Sequence, residues 1–165
     1  YMSVKTTSFF IFVAFLLSPA LTVRSERQTI ISFTSASSVS AQTGPVYDSY
    51  KGVKIGMPAA EVRAKLGKPK EESDAEDLYE ISPLETARVF YEPDKTVRVV
   101  SIMYSGDMNL APTPKTVVGT DVPAKEDGGI YKMMQYPKAG FWISYVKTGG
   151  EGPIVIVTMQ KMAKE

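Results

Sequence analysis

Gly56-Met57-Pro58-Ala59-Ala60-Glu61-Val62-Arg63-Ala64-Lys65-Leu66-Gly67-Lys68-Pro69 is the one stretch of this chain that writes a start, a helix and a stop in a single phrase. Proline at the first helical position has a pre-set φ and lacks only an N–H that would be orphaned there in any case. Ala59, Val62 and Leu66 then share one face at helical spacing, with Glu61, Arg63 and Lys65 turned to water. Gly67 can adopt the left-handed conformation that ends a helix, and Pro69 forbids its continuation. Short β-forming runs and turn residues follow, so the helix is expected to be the lid of a sheet.

Downstream, residues 78–81, 87–91 and 97–104 read as strands, the last two joined as an antiparallel hairpin by the short connection Glu92–Thr96. Between helix and first strand, Lys68 to Asp77 is charged, lacks apolar periodicity and reads as a solvated loop. Residues 105–114 are a linker by composition. Residues 130–136, 141–147 and 154–160 then read as three further strands, divided by Pro137-Lys138 and by a Gly-rich turn at 149–153. Leu66-Gly67, Leu78-Tyr79 and Ala87 recur as Val118-Gly119, Ile130-Tyr131 and Ala139, all at the offset 118 − 66 = 52. The same order of elements at one offset points to a degenerate duplication, with at best a short helix near Lys115–Val118 in the second copy. The expected fold class is α+β: two tandem α-β-β-β units, at about 53–104 and 115–160, forming a mainly antiparallel sheet with helix packed on one face.

Composition narrows the chemistry. The chain has 44% hydrophobic and 22% charged residues, with neither histidine nor cysteine. Thiolate metal sites, disulfides and a cysteine nucleophile are excluded, and the commonest general base is missing. A basic head at Met2 to Lys5, the apolar run FFIFVAFLL at 9–17 and the small-residue exit Ser18-Pro19-Ala20 follow the plan of a secretory signal. Cleavage after Ala20 would leave a disordered spacer, whereas cleavage after Ala41 fits the small-x-small rule better at Val39-Ser40-Ala41. Residues 1–41 are therefore expected to be processed or disordered, and 42–165 to form one domain that is exported to the periplasm or cell envelope. Beyond residue 41 there are 16 basic residues (19 minus Lys5, Arg24 and Arg27) and 17 acidic ones (18 minus Glu26), a net charge of −1. Such a body gives no electrostatic case for nucleic acid.

The helix phrase, with Gly56-Met57, Glu61-Val62, Leu66-Gly67 and Pro69, resembles the signature of the BamE/SmpA-type outer-membrane assembly lipoproteins. Residues 90–97 (FYEPDKTV) resemble that family's hairpin, so the likeness spans about 53–104. The resemblance implies a helix on a small antiparallel sheet, a secreted location and a binding role; a tandem copy also looks like the β-lactamase-inhibitor-protein fold. Two departures stand. The lipobox cysteine of the family is absent, which excludes lipidation by that route, and Pro58 replaces the Ser or Thr that would cap the helix with Glu61.

Few residues are candidates for chemistry. The acidic run at 71–77 lacks the glycine bend of a calcium loop. Glu80 and Glu92 sit on ordinary strand positions with nothing to raise one pKa, and the glycines at 149–152 lack the Lys-Ser/Thr of a phosphate loop. No catalytic residue, metal or cofactor is therefore expected. Several strands are apolar on both faces, more than one and a half helices can cover, so either the sheet curls on itself or one face is left partly open, an aromatic face for a secreted or envelope protein partner. Tyr79, Arg88, Phe90, Tyr131 and Trp142 are the expected contact residues. The alternative is a carrier of a small apolar ligand or lipid between helix and sheet, lined by Met103, Met133, Met134 and Met159.

Overall fold

The structure, a computed structural model, describes residues 44–163; the expected signal sequence and both processing sites lie outside them. Seven strands form one antiparallel sheet: β1 (Glu71–Glu72), β2 (Glu76–Ser82), β3 (Glu85–Tyr91), β4 (Val97–Tyr104), β5 (Ile130–Tyr136), β6 (Phe141–Lys147) and β7 (Val155–Lys161). Two helices, α1 (Ala59–Leu66) and α2 (Pro114–Val118), complete an α+β fold. The spatial order is β1-β2-β3-β4-β7-β6-β5, so two meanders meet where β4 pairs with β7.

The helix phrase folds much as its punctuation dictates. Pro58 is the residue preceding the first turn, one place earlier than expected, with an extended φ of −62° and ψ of 144°. Gly67 closes the helix at φ 84°, and its N–H bonds back to the Arg63 carbonyl. The chain leading into α1 is laced to the β3–β4 hairpin. Gly56 N–H donates to the Val97 carbonyl, Val97 N–H to Met57, and Ala59 N–H to Lys95, all within 2.9 Å. Further upstream, Tyr50 and Val53 exchange backbone hydrogen bonds, and the Tyr50 hydroxyl donates to Glu85 Oε1 at 2.7 Å.

One face of the sheet carries the core. Tyr79, Ala87, Ile102, Val157 and Tyr145 lie in register across it, as do Val89, Val100, Met159 and Ile143. Val62 of α1 and Val117 and Val118 of α2 bury against this set, so both helices sit on the same side. In the second row the residue contributed by β2 is Asp77, fully buried and charged. Its carboxylate takes a two-pronged pair from Arg63, with Nε to Oδ2 and Nη2 to Oδ1 both at 2.9 Å. Oδ2 also accepts from the Tyr91 hydroxyl at 2.7 Å and the Tyr79 hydroxyl at 3.1 Å. Arg63 completes its fork with Glu72 of β1, Nη1 to Oε1 at 2.9 Å.

Two expectations are thereby corrected. The stretch 68–77 is not a solvated loop throughout: it supplies β1 and the start of β2, and its last residue is a core carboxylate. Arg63 is not simply turned to water, because a buried carboxylate lies within its reach. The recurrence at offset 52 is matched where Gly67 and Gly119 each end a helix and where Leu78-Tyr79 and Ile130-Tyr131 each lie in a strand. It fails further on: Ala87 is buried in β3, whereas Ala139 lies in the turn between β5 and β6. The connections in the second half are longer, so a fixed offset slides out of register with the elements.

Burial alone would raise the Asp77 carboxyl, but the hydrogen bonds from Arg63, Tyr91 and Tyr79 outweigh it and hold the group below its ordinary value of 3.8. Because the folded value is depressed, the stabilisation is complete at neutral pH and is lost as pH falls below about 4. Replacing Arg63 by Met is expected to lower stability by about 3 kcal/mol, since it strands a buried charge. Urea unfolding at pH 7 checks this, and Asp77→Asn should flatten the acid side of the stability profile in the same experiment.

Candidate functional site

Alternation along each strand sends every second side chain to the sheet face opposite the helices. On this open face the registered pairs form three rows running across the strands. The first reads Glu80, Thr86, Met103, Ile156, Val146, Tyr131 from β2 to β5. The second reads Leu78, Arg88, Ser101, Thr158, Ser144, Met133, and the third Glu76, Phe90, Val99, Gln160, Trp142, Gln135. Apolar groups thus dominate the central strands of the two outer rows, and small hydroxyl side chains form the trough between them. Ser101 Oγ and Thr158 Oγ1 are 3.3 Å apart in that trough. None of these apolar residues belongs to the helix-side core cluster.

The exposed large hydrophobics concentrate here. Tyr131 is 56% exposed and Met103 and Met133 are each 40% exposed. Trp142 is half-buried between Gln135 and Gln160, its two neighbours along the row. Arg88 is exposed, and its Nε lies 3.1 Å from Glu76 Oε1. The contact is ionic: that oxygen lies off the N–H axis and has no hydrogen-bond partner. A guanidinium held this way keeps N–H groups that face solvent.

Of the five expected contact residues, the structure brings four together on this face: Arg88, Phe90, Trp142 and Tyr131. Tyr79 does not join them. It is 1% exposed on the helix side, where its hydroxyl serves Asp77, and burial followed by the Asp77 charge pushes its pKa up to about 12. The correspondence of Tyr79 with Tyr131 at the even offset 52 puts the two on one face, but β2 turns its odd-numbered residues to the helices whereas β5 turns its even-numbered ones, so the pair is split. Val146 and Ile156 are absent from the expected site residues, and Met103 is expected there only as lining of the carrier alternative. Their signal was present in runs such as VRVVSIMY, apolar at both odd and even positions.

The four methionines of the carrier alternative divide between the faces. Met103 and Met133 are on the open side, while Met134 and the fully buried Met159 are in or against the core. Among the described residues no group of three or more acidic side chains converges in a way that could hold a metal ion. The hydroxyls of the trough are flanked in register by Arg88 and Met133, neither of which is a general base. What this face offers chemically is apolar area, side-chain amides and hydroxyls, and, at the β2–β3 end, the carboxylates of Glu76 and Glu80 with one tethered cation.

The chain matches no protein-family model, no curated protein and no solved structure. The likeness to the envelope-assembly lipoproteins rests on the quoted residues alone.

The division between faces has a direct consequence for stability. Tyr79→Ala removes a fully buried ring and one of the two hydroxyls that donate to Asp77, so a loss of about 3–5 kcal/mol is expected. Tyr131→Ala should change stability by less than about 0.5 kcal/mol. Paired urea titrations check both values.

Proposed function

We propose that the protein is a non-enzymatic binding module of the cell envelope that engages a protein partner through the open sheet face. The observation that carries this reading is an apolar face opposite the helices that no described helix covers, with Trp142, Phe90 and Tyr131 on it. Met103, Tyr131 and Met133 are exposed on it and Phe90, Trp142, Val146 and Ile156 part-exposed, and a contiguous apolar patch in water marks an interaction surface. Aromatic side chains supply large contact area at low cost in rotamer entropy, and a tethered arginine adds directional hydrogen bonds, the combination that dominates protein-binding hot spots. Two glutamines beside Trp142 suit a polypeptide, whose backbone presents both donors and acceptors to an amide.

The envelope setting rests on the signal-like plan at the start of the chain and on the resemblance of residues 53–104 to the BamE/SmpA type.

Single and double variants Tyr131→Ala and Trp142→Ala test the reading by quantitative affinity capture from envelope extracts. A specific partner should be captured at least about tenfold more weakly by the double variant, as expected for the loss of two hot-spot aromatics. Lys65→Ala, on the outer surface of α1, should leave capture unchanged. Equal losses with Lys65→Ala, or none with the aromatic variants, would move the binding surface elsewhere.

A further inference from the structure

The two edges of the sheet are built differently. One ends in β1, only Glu71–Glu72 long and doubly acidic. Shortness and charge are the usual protections of a sheet edge against pairing with another chain. The other ends in β5, whose seven residues IYKMMQY contain one charge, Lys132, and no proline. β5 pairs with β6 along one side only, so its outward N–H and C=O groups have no strand partner among the described residues. Tyr131 and Met133, two of the exposed large hydrophobics of the open face, are on this same terminal strand.

We propose that β5 pairs antiparallel with β5 of a second copy of this chain, joining two sheets and their open faces into one. The unpaired backbone groups recognise an extended strand, and the side-chain pattern of β5 lets it pair with itself. A two-fold axis normal to the sheet keeps each face on its own side, so residues directly opposite must share a face. With Met133 on the axis, Met133 faces Met133 of the second copy and Tyr131 faces Gln135 of the second copy. Lys132 then lies opposite Met134 of the second copy. The neighbouring register centred on Lys132 would set two ammonium groups face to face and is disfavoured. α2 packs on the helix side of β6 and β5. The pairing is independent of the partner proposed for the open face. A contact of one strand and its flanking side chains falls under roughly 1,200 Å², so the dimer is expected to be reversible and concentration-dependent.

The absence of cysteine makes the test clean, because an introduced thiol is the only one in the chain. Opposed residues of an antiparallel pair have Cα atoms roughly 4.5–5.5 Å apart, within the span of a disulfide. Met133→Cys in the full chain should oxidise to a covalent dimer far faster than Met103→Cys, which is equally exposed but central on the open face. The unsubstituted protein should gain sedimentation mass with concentration, and Met133→Lys should raise the dimer dissociation constant about tenfold or more by facing two like charges. Cross-linking of Met133→Cys no faster than of Met103→Cys overturns the proposal. So does a sedimentation mass that stays monomeric at every concentration, or a dimer that Met133→Lys leaves unchanged.

Discussion

The carboxylate of Asp77 sets the arrangement on which the rest depends. It lies at the end of an apolar row, fully buried, and a charge in such a place is tolerated only when its hydrogen-bonding capacity is filled. Arg63 from α1, Tyr79 from β2 and Tyr91 from β3 fill it together. Three elements are thereby fixed to one point, and α1 has one rotation about its axis that presents Arg63 there. Generic apolar burial of Ala59 and Val62 would hold the helix to the sheet without choosing that rotation. The same arginine reaches Glu72 and draws in β1, so the guarded edge of the sheet is tied to the same network.

Fixing both helices to one side leaves the other side as a consequence of topology. The strand order joins two meanders along β4 and β7, and each strand alternates between the sides. A sheet of this width with helices over one face must solvate or occupy the other. Here the outer rows remain apolar while the trough between them is hydroxylated, which limits the exposed apolar patch without abolishing it. Charge on the open face is confined to the β2–β3 end, with Glu76, Arg88 and Glu80. Towards β5 it gives way to Met133 and Tyr131, so the face is graded from a charged side to an apolar one.

Local features were legible in the sequence, and the relations between distant segments were less so. The α1 phrase carries its own start and stop, and the strands announce themselves by β-branched and aromatic runs bounded by Pro and Gly. The α+β class followed from these alone. Asp77 was missed because a carboxylate among Glu and Asp neighbours carries no local sign of burial; only the distant Arg63, Tyr79 and Tyr91 give it partners. Arg63 reads as a solvent residue for the same reason. Two-sided hydrophobicity signalled an uncovered face, and Arg88, Phe90, Trp142 and Tyr131 do share it, but β2 turns its odd-numbered residues to the helices and β5 its even-numbered ones, which puts Tyr79 on the opposite side from Tyr131. Period-two structure makes face assignment sensitive to small shifts of register.

The methionines report the division between faces most directly. Met103 and Met133 are on the open side and Met159 is fully buried on the other. Peroxide converts an accessible methionine to its sulfoxide and spares one sealed in a core. Mild oxidation of the folded protein, read residue by residue by peptide mass spectrometry, is expected to modify Met103 and Met133 while Met159 stays reduced until urea unfolds the chain. Protection of Met103 as complete as that of Met159, or oxidation of Met159 in the native protein, would contradict the two-faced architecture.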